Sequence, residues 1–392
     1  MEEYGNRWRD ETTNIELSSG TGHMIPESFS TDVGLFMNKN PNFWKPADDG
    51  GMLPYYDRME LFDFTDATAI EAAYRNNQVD VGAFPLSKLQ IEGIQNDFPD
   101  HKFAQRAFGF TIVNAFNFNP GWDGEDGKGN PWLDRRVAYA WNAAVDRFLL
   151  MDTVYLGDAK TSSTAATPWF NAFWDVTPDE LLATPGWRPN RDADIQFARD
   201  MLDAGGIEPG REFFLLLPDI WEGTYPGVTE TTKAMYEDAT GMSLTIDVQP
   251  YTVFLQRLEE GNYPGAVPAW TNPPSNLDPT TSWNNALVPG GSTNLLFYDY
   301  QPVTDLVTEM QTSLDQNDRK DIADQILKIG LGIDEDHGLD GIFNSFGVMN
   351  GIQRVAAWPY INAHDDARTQ FAHNFHRYDD AWVDTNHPDF PG

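Results

Sequence analysis

Few residues in this chain are spaced for covalent or metal chemistry. The first to weigh are Asp123, Glu125 and Asp126 in the loop 121–130. Clustered carboxylates can hold calcium, but the D-x-[DN]-x-[DN]-G spacing with a later glutamate is not met, so the loop reads as a solvated acidic turn. Nor is it a phosphate cradle, because Trp122 stands where the glycine five residues before Gly127-Lys128 should be. His373 and His376 are three apart, a spacing that suits a ligand pair on a helix. No H-E-x-x-H accompanies them, and His364 and His387 lie in polar, loop-like sequence, so surface histidines are the plainer reading. There is no G-x-S-x-G elbow and no cysteine. Carboxylates are so frequent that their proximity in sequence says nothing about acid–base work. No metal centre, cofactor or catalytic residue is expected.

The elements that would position any site must come from a 392-residue chain with 41% hydrophobic and 13% aromatic residues, enough for two or three domains. The outlier is charge: 60 acidic residues against 26 lysines and arginines give a net −34, spread over the whole length. Such self-repulsion opposes compaction in dilute buffer, and salt screens it. The composition reads as salt-adapted; the alternative is an ordinary acidic secreted protein. Nucleic acid is excluded as a partner by the same charge. No apolar run approaches the length of a membrane span. The start, Met1 to Arg7, is polar and acidic and does not read as a signal peptide.

Periodicity predicts strands over 33–37, 59–64, 79–83, 108–118, 213–217, 243–248 and 342–348. It predicts helices over 67–76, 192–202, 230–240, 253–260, 303–314 and 319–329, three of them closed by Gly205, Gly241 and Gly261. Strand and helix alternate in two stretches separated by the loop 120–131, which argues for two α/β lobes. Repeats and low-complexity segments are absent.

One run carries more than periodicity. From Trp132 to Gly157, Val137, Ala140, Trp141, Ala144, Val145, Phe148 and Leu149 fall on one face of a helix, with Asp134 placed to cap it and Gly157 to end it. Its pattern, L-D-x-R-V-x-x-A-x-x-x-A-x-D-R and then V-x-x-G, resembles the signature helix of the family 5 extracellular solute-binding proteins, the dipeptide- and oligopeptide-binding subunits of ABC importers. Gly20-Thr21-Gly22 followed by Asn40-Pro41-Asn42-Phe43-Trp44 is similar to that family's G-T-G-P-Y and N-P-x-Y-W. The stretches 192–205, 236–258 and 314–327 resemble its later helices and strands in the same order.

The resemblance implies a two-lobed periplasmic-binding-protein type II (Venus-flytrap) α/β fold. Lobe I would be built from 1–118, with 356–392 returning to it, and lobe II from 119–355. Since G-T-G-P-Y lies well inside full-length members, it also implies a first lobe that is incomplete in this chain. It implies capture of a small solute between the lobes, hinge closure and delivery to a membrane permease, by a monomer on the extracellular face, with no enzymatic activity. A secreted hydrolase of glycans or peptides is the alternative from another class, and a chain that folds poorly alone is a third. Asn117, Phe118 and Asn119 would lie near the cleft. Trp270, Thr271, Asn272, Asp278 and Trp283 would belong to the ligand loop. Two departures stand out: His23 replaces a proline, and Trp270-Thr271-Asn272-Pro273 replaces the W-x-x-D whose aspartate pairs with a peptide's α-ammonium. Desolvating an unpaired ammonium is costly. Sugar-like or other neutral solutes, stacked on Trp270 or Trp283, therefore stand beside peptides as ligands.

Overall fold

The computed structural model describes residues 20–30, 33–64, 66–82, 86–107, 111–164, 173–221, 227–264, 266–271, 278–362 and 379–391, with Ile15 and Tyr225; for 106, 107, 111, 266–271 and 353 it describes the backbone alone. Two compact units result, Met1–Arg106 with Ile352–Gly392 and Ala107–Gly351. The chain thus passes between units at 106/107 and 351/352, rather than at the expected 118/119 and 355/356.

In the first unit, β1 (Met24–Ser30), β2 (Gly34–Lys39) and β3 (Arg58–Phe62) form an antiparallel sheet. Gly34 is required where β2 begins: its φ is +134°, and a Cβ there would sit 1.9 Å from the Leu61 carbonyl oxygen. Helix α1 (Ala67–Arg75) is capped by Asp66, which accepts from the Ala69 amide at 2.9 Å. After β4 (Val81–Gly82) comes α2 (Lys88–Asp97), opened by a Ser87–Gln90 capping box, and then β5 (Lys102–Ala107). The returning chain adds Ala356 and Ala357 beside β4, and Ile361–Asn362 pairs with Trp382–Val383. Tyr74, Ile91, Ile94, Ala356, Trp358 and Tyr360 make the core.

The second unit is a sheet with helices on both faces. β6 (Thr111–Phe116) is followed by α3 (Arg135–Ala144), α4 (Arg147–Val154) and the short β7 (Ala159–Lys160). Then come α5 (Pro178–Ala183), α6 (Arg191–Ala204), β8 (Glu212–Pro218), α7 (Val228–Thr240), β9 (Ser243–Gln249), α8 (Tyr251–Glu260) and β10 (Ala266–Thr271). Helices α9 (Thr280–Leu287), α10 (Gln301–Thr312) and α11 (Gln316–Gly330) precede β11 (Ser345–Ala357). Within the unit the strand order is β11-β6-β10-β8-β9; β8, β9 and β10 are parallel, and β6 is antiparallel to both its neighbours. Strand alternation sorts the core. Val113, Ala115 and Leu216 meet Phe254, Leu258 and Tyr263 on one face. On the other, Phe116 stacks on Trp132 at 4.8 Å, and Trp141 meets Phe213 at 4.7 Å and Tyr236 at 4.4 Å.

The run that looked like one helix is two. Asp134 caps the first as expected, accepting from the Arg136 amide at 3.0 Å, but Val145 is extended and Asp146 caps a new helix by accepting from the Leu149 amide at 2.9 Å. The restart rotates the buried face: Leu149 is 48% exposed and Phe148 partly so, while Arg147 and Leu150 are fully buried. Gly157 lies beyond the helix end at Val154, in the left-handed region with φ +75°.

Helix α5 supplies a pH-dependent contact. The Glu180 carboxylate accepts from the Thr177 hydroxyl at 2.7 Å and the Thr177 amide at 3.0 Å, and pairs with Lys328 at 3.0 Å. The Thr177 hydroxyl, then Lys328, hold it below the usual carboxylate range, from 4.5 to about 2. The unfolded chain therefore binds the extra proton first as pH falls, so this stabilisation is complete above pH 4.5 and lost as pH drops through about 2. Glu180→Gln keeps the cap's geometry but cannot titrate. Its unfolding free energy is expected to fall less steeply than the wild type's over that window in urea titrations at a series of pH values; identical slopes would remove Glu180 from the acid response.

Candidate functional site

In open α/β sheets, solutes bind outside the carboxyl ends of the parallel strands, where backbone amides and loop side chains converge. In the second unit one sheet edge gathers the carboxyl ends of β8, β9 and β10 with the amino end of β6. Here β11 also passes Met349, opposite Ile112. The chain enters this unit just before β6 and leaves just after Met349. The same edge therefore carries both crossings and the loops that follow three strands.

The register puts Trp270 opposite Ile112 and Thr271 opposite Thr111, so β10 ends on this edge and delivers the loop after it there. Asn272 falls outside the described residues, as do His364, His373 and His376. The other sequence-selected residues have internal roles. Asp278 accepts from the Thr280 amide at 2.9 Å and hydroxyl at 2.6 Å and pairs with Arg319 at 2.6 Å, fixing the start of α9. Trp283, 2% exposed, is a core residue of that helix.

Asn117, Phe118 and Asn119 follow the far end of β6, because that strand runs away from the crossing edge. Asn117 is wholly buried; its amide donates to the carbonyls of Gly261 at 3.2 Å and Tyr263 at 3.0 Å and accepts from the Asn119 amide at 2.9 Å. The Asn119 side chain donates to Gly261 at 3.2 Å, and Phe118 lies 3.5 Å beneath the Arg135 guanidinium. The chain crosses between units before β6, not after it, so these three residues lie at the end of β6 away from the crossings. They latch the turn after α8 to the end of β6.

The acidic loop is answered by cations of the protein itself. Asp126 pairs with Arg211 at 3.2 Å and Glu125 with Arg257 at 2.9 Å, while Arg257 also reaches Asp247 at 2.6 Å. Among the described residues no group of three or more acidic or histidine side chains is placed to hold a metal ion. None of their helices is long and apolar enough to cross a membrane.

Sequence periodicity passed over Arg147. Its guanidinium, fully buried, donates to the carbonyls of Gly347 at 2.8 Å, Gly186 at 2.7 Å and Asn142 at 3.1 Å, and to the Asn142 side-chain oxygen. It also stacks 3.8 Å from the Trp187 ring. Burial pulls its pKa down to about 9, which still leaves it charged at neutral pH. Gly186 is required beside it, since a Cβ there would lie 2.8 Å from the guanidinium nitrogen. The signal in the sequence was an arginine directly after a capping aspartate in an apolar stripe.

Residues 3–294 match the family model of the bacterial extracellular solute-binding proteins, family 5, middle region. The chain belongs to this family. Among curated relatives, the di/tripeptide-binding protein 3 of Pseudomonas aeruginosa is 20% identical over 263 residues, 66% of this chain and 44% of that protein. The chain thus spans less than half of the curated relatives it matches. Its fold is that of solved two-lobed binding proteins. Haemophilus influenzae OppA in complex with RPPGFSPFR aligns at TM-score 0.72 and 15% identity, over 97% of this chain and 67% of that one. Helicobacter pylori DppA in complex with the peptide STSA aligns at 0.71 and 15%, over 98% and 67%. Staphylococcus aureus NikA in complex with Ni(L-His)2 aligns at 0.66 and 16%, over 88% and 65%. His23 is a buried ring set edge-on to Phe43 at 5.8 Å and Tyr56 at 6.3 Å.

Proposed function

We propose that the chain is the solute-capturing component of an ABC importer, working without catalysis outside the membrane, as a monomer adapted to high salt, and handing a peptide or sugar-like solute to a membrane permease. The observation that carries this reading is the family match over residues 3–294. The placement of Trp270 and Thr271 on the sheet edge where solutes bind in such folds supports it. Capture works by differential affinity: a solute that binds a closed arrangement better than an open one shifts the population toward it. Trp270, Thr271 and Asn272 are the proposed ligand contacts. Asp278, Trp283 and the 117–119 turn are left out because their side chains are buried or bonded internally.

Pro273, in place of the aspartate of W-x-x-D, points to a solute recognised without a buried ammonium. The test is equilibrium dialysis of the purified chain in molar KCl against pools of di- and tripeptides and of oligosaccharides, followed by mass spectrometry of what is retained. One intact solute class bound near 1:1 is expected, with affinity reduced about tenfold or more in Trp270→Ala. Pro273→Asp should raise retention of peptides with a free amino terminus. Cleaved products, or no saturable retention, would overturn the reading.

A further inference from the structure

We infer that the space between β6, β8 and the first turn of α7 is a binding site for one internal water molecule that ties the start of α7 to the sheet. The cavity gives the centre of a water-sized sphere about 10 Å³ of room and is walled by Ile112, Leu215, Trp221 and Tyr236. Asn114, Thr229 and Thr232 line it as well, 5%, 5% and 8% exposed. The Tyr236 hydroxyl donates to the Asn114 side-chain oxygen at 2.7 Å, which orients the amide and turns its nitrogen to the donor role. That nitrogen, Nδ2, and the Thr229 Oγ1 are both sealed from bulk solvent and have no hydrogen-bond partner among the described residues.

A buried donor without an acceptor is costly, and two lining one small cavity call for a shared partner. The volume matches one water and nothing larger, and a water needs two to four polar neighbours. It can accept from Asn114 Nδ2 and donate to Thr229 Oγ1.

The test combines a high-resolution crystal structure of the full chain with Thr229→Val, which removes the hydroxyl at constant shape. Density for a single water within hydrogen-bond reach of both atoms is expected, and in the variant it should weaken or vanish. Thr229→Val should raise the unfolding constant about fivefold in urea titrations in molar KCl. If the hydroxyl had no partner, its removal would be neutral or stabilising, and that result overturns the proposal. Density for an anion or for part of a bound solute overturns it too. Should the variant fail to fold, the wild-type density alone decides.

Discussion

Replacing Arg147 with methionine is expected to destabilise the second unit by about 3–5 kcal/mol, the range seen when one member of a buried, charged hydrogen-bond network is removed. The methionine would fill much of the aliphatic volume, so packing loss is minor. What remains is four acceptors on three distant segments: the Asn142 carbonyl and side-chain oxygen, the Gly186 carbonyl and the Gly347 carbonyl. Each buried acceptor left without a donor costs about 1–3 kcal/mol, and local relaxation recovers part of the total. Arg147→Lys separates charge from geometry. A lysine keeps the cation but offers its donors from one point, so it cannot reach Gly347 and Gly186 together, and about 2 kcal/mol should still be lost. Urea titrations of both variants in molar KCl, with the m-value as a check on two-state behaviour, measure these losses. Unfolding midpoints equal to the wild type's would mean that Val145 and Leu150 alone hold the helix pair.

That arginine also shows where sequence reading stops. The apolar stripe from Val137 to Val145 was legible because its period is helical and its members are all fully buried. Beyond Val145 the period still fitted, but Asp146 is itself a cap, and a restarted helix resets the face. Helices α7 and α8 were legible for a different reason: each ends at a glycine in the left-handed region, Gly241 at φ +70° and Gly261 at +64°. Helix α2 was missed because only Ile91 and Ile94 are buried in it, leaving the Ser87–Gln90 capping box as its one clear mark. Strand β11 was read only to Val348. It continues through Asn350 and Arg354 because it changes partners on the way, from β6 to β7 and then β4. No single face of it stays apolar, so alternation fades. The proposed ligand contacts came from the sequence as a loop after Trp270. That the Asn117 turn follows the end of β6 away from the crossings was not legible, because the direction of β6 is a property of the sheet, which local spacing does not encode.

The second large effect concerns salt. Lowering KCl from about 3 M to about 0.1 M lengthens the Debye distance from under 3 Å to about 10 Å, which lets surface charges several side chains apart repel again. With a net charge of −34, the compact state then carries repulsion that the expanded chain relieves. Cooperative loss of the circular dichroism signal is expected on dilution at neutral pH. Like charge gathers locally as well: Asp49, Asp48 and Asp380 add to burial in raising the Tyr55 hydroxyl above its usual pKa. Net negative charge grows as pH rises, so in dilute salt the repulsion that opposes the compact state grows with it and low-salt stability should fall. Structure at 0.1 M KCl should therefore be better retained near pH 5 than near pH 8, a trend that molar salt should flatten. Glu180 works in the opposite sense, but over a lower pH window, so the two contributions separate on the pH axis. Asp200 and Asp203 lie on the exposed face of α6, whose buried face is Asp194, Ala198 and Leu202. Changing both to lysine should move the salt midpoint to lower KCl without altering the core. An unchanged spectrum on dilution, at both pH values, would show that packing outweighs the repulsion and that the charge serves solubility alone.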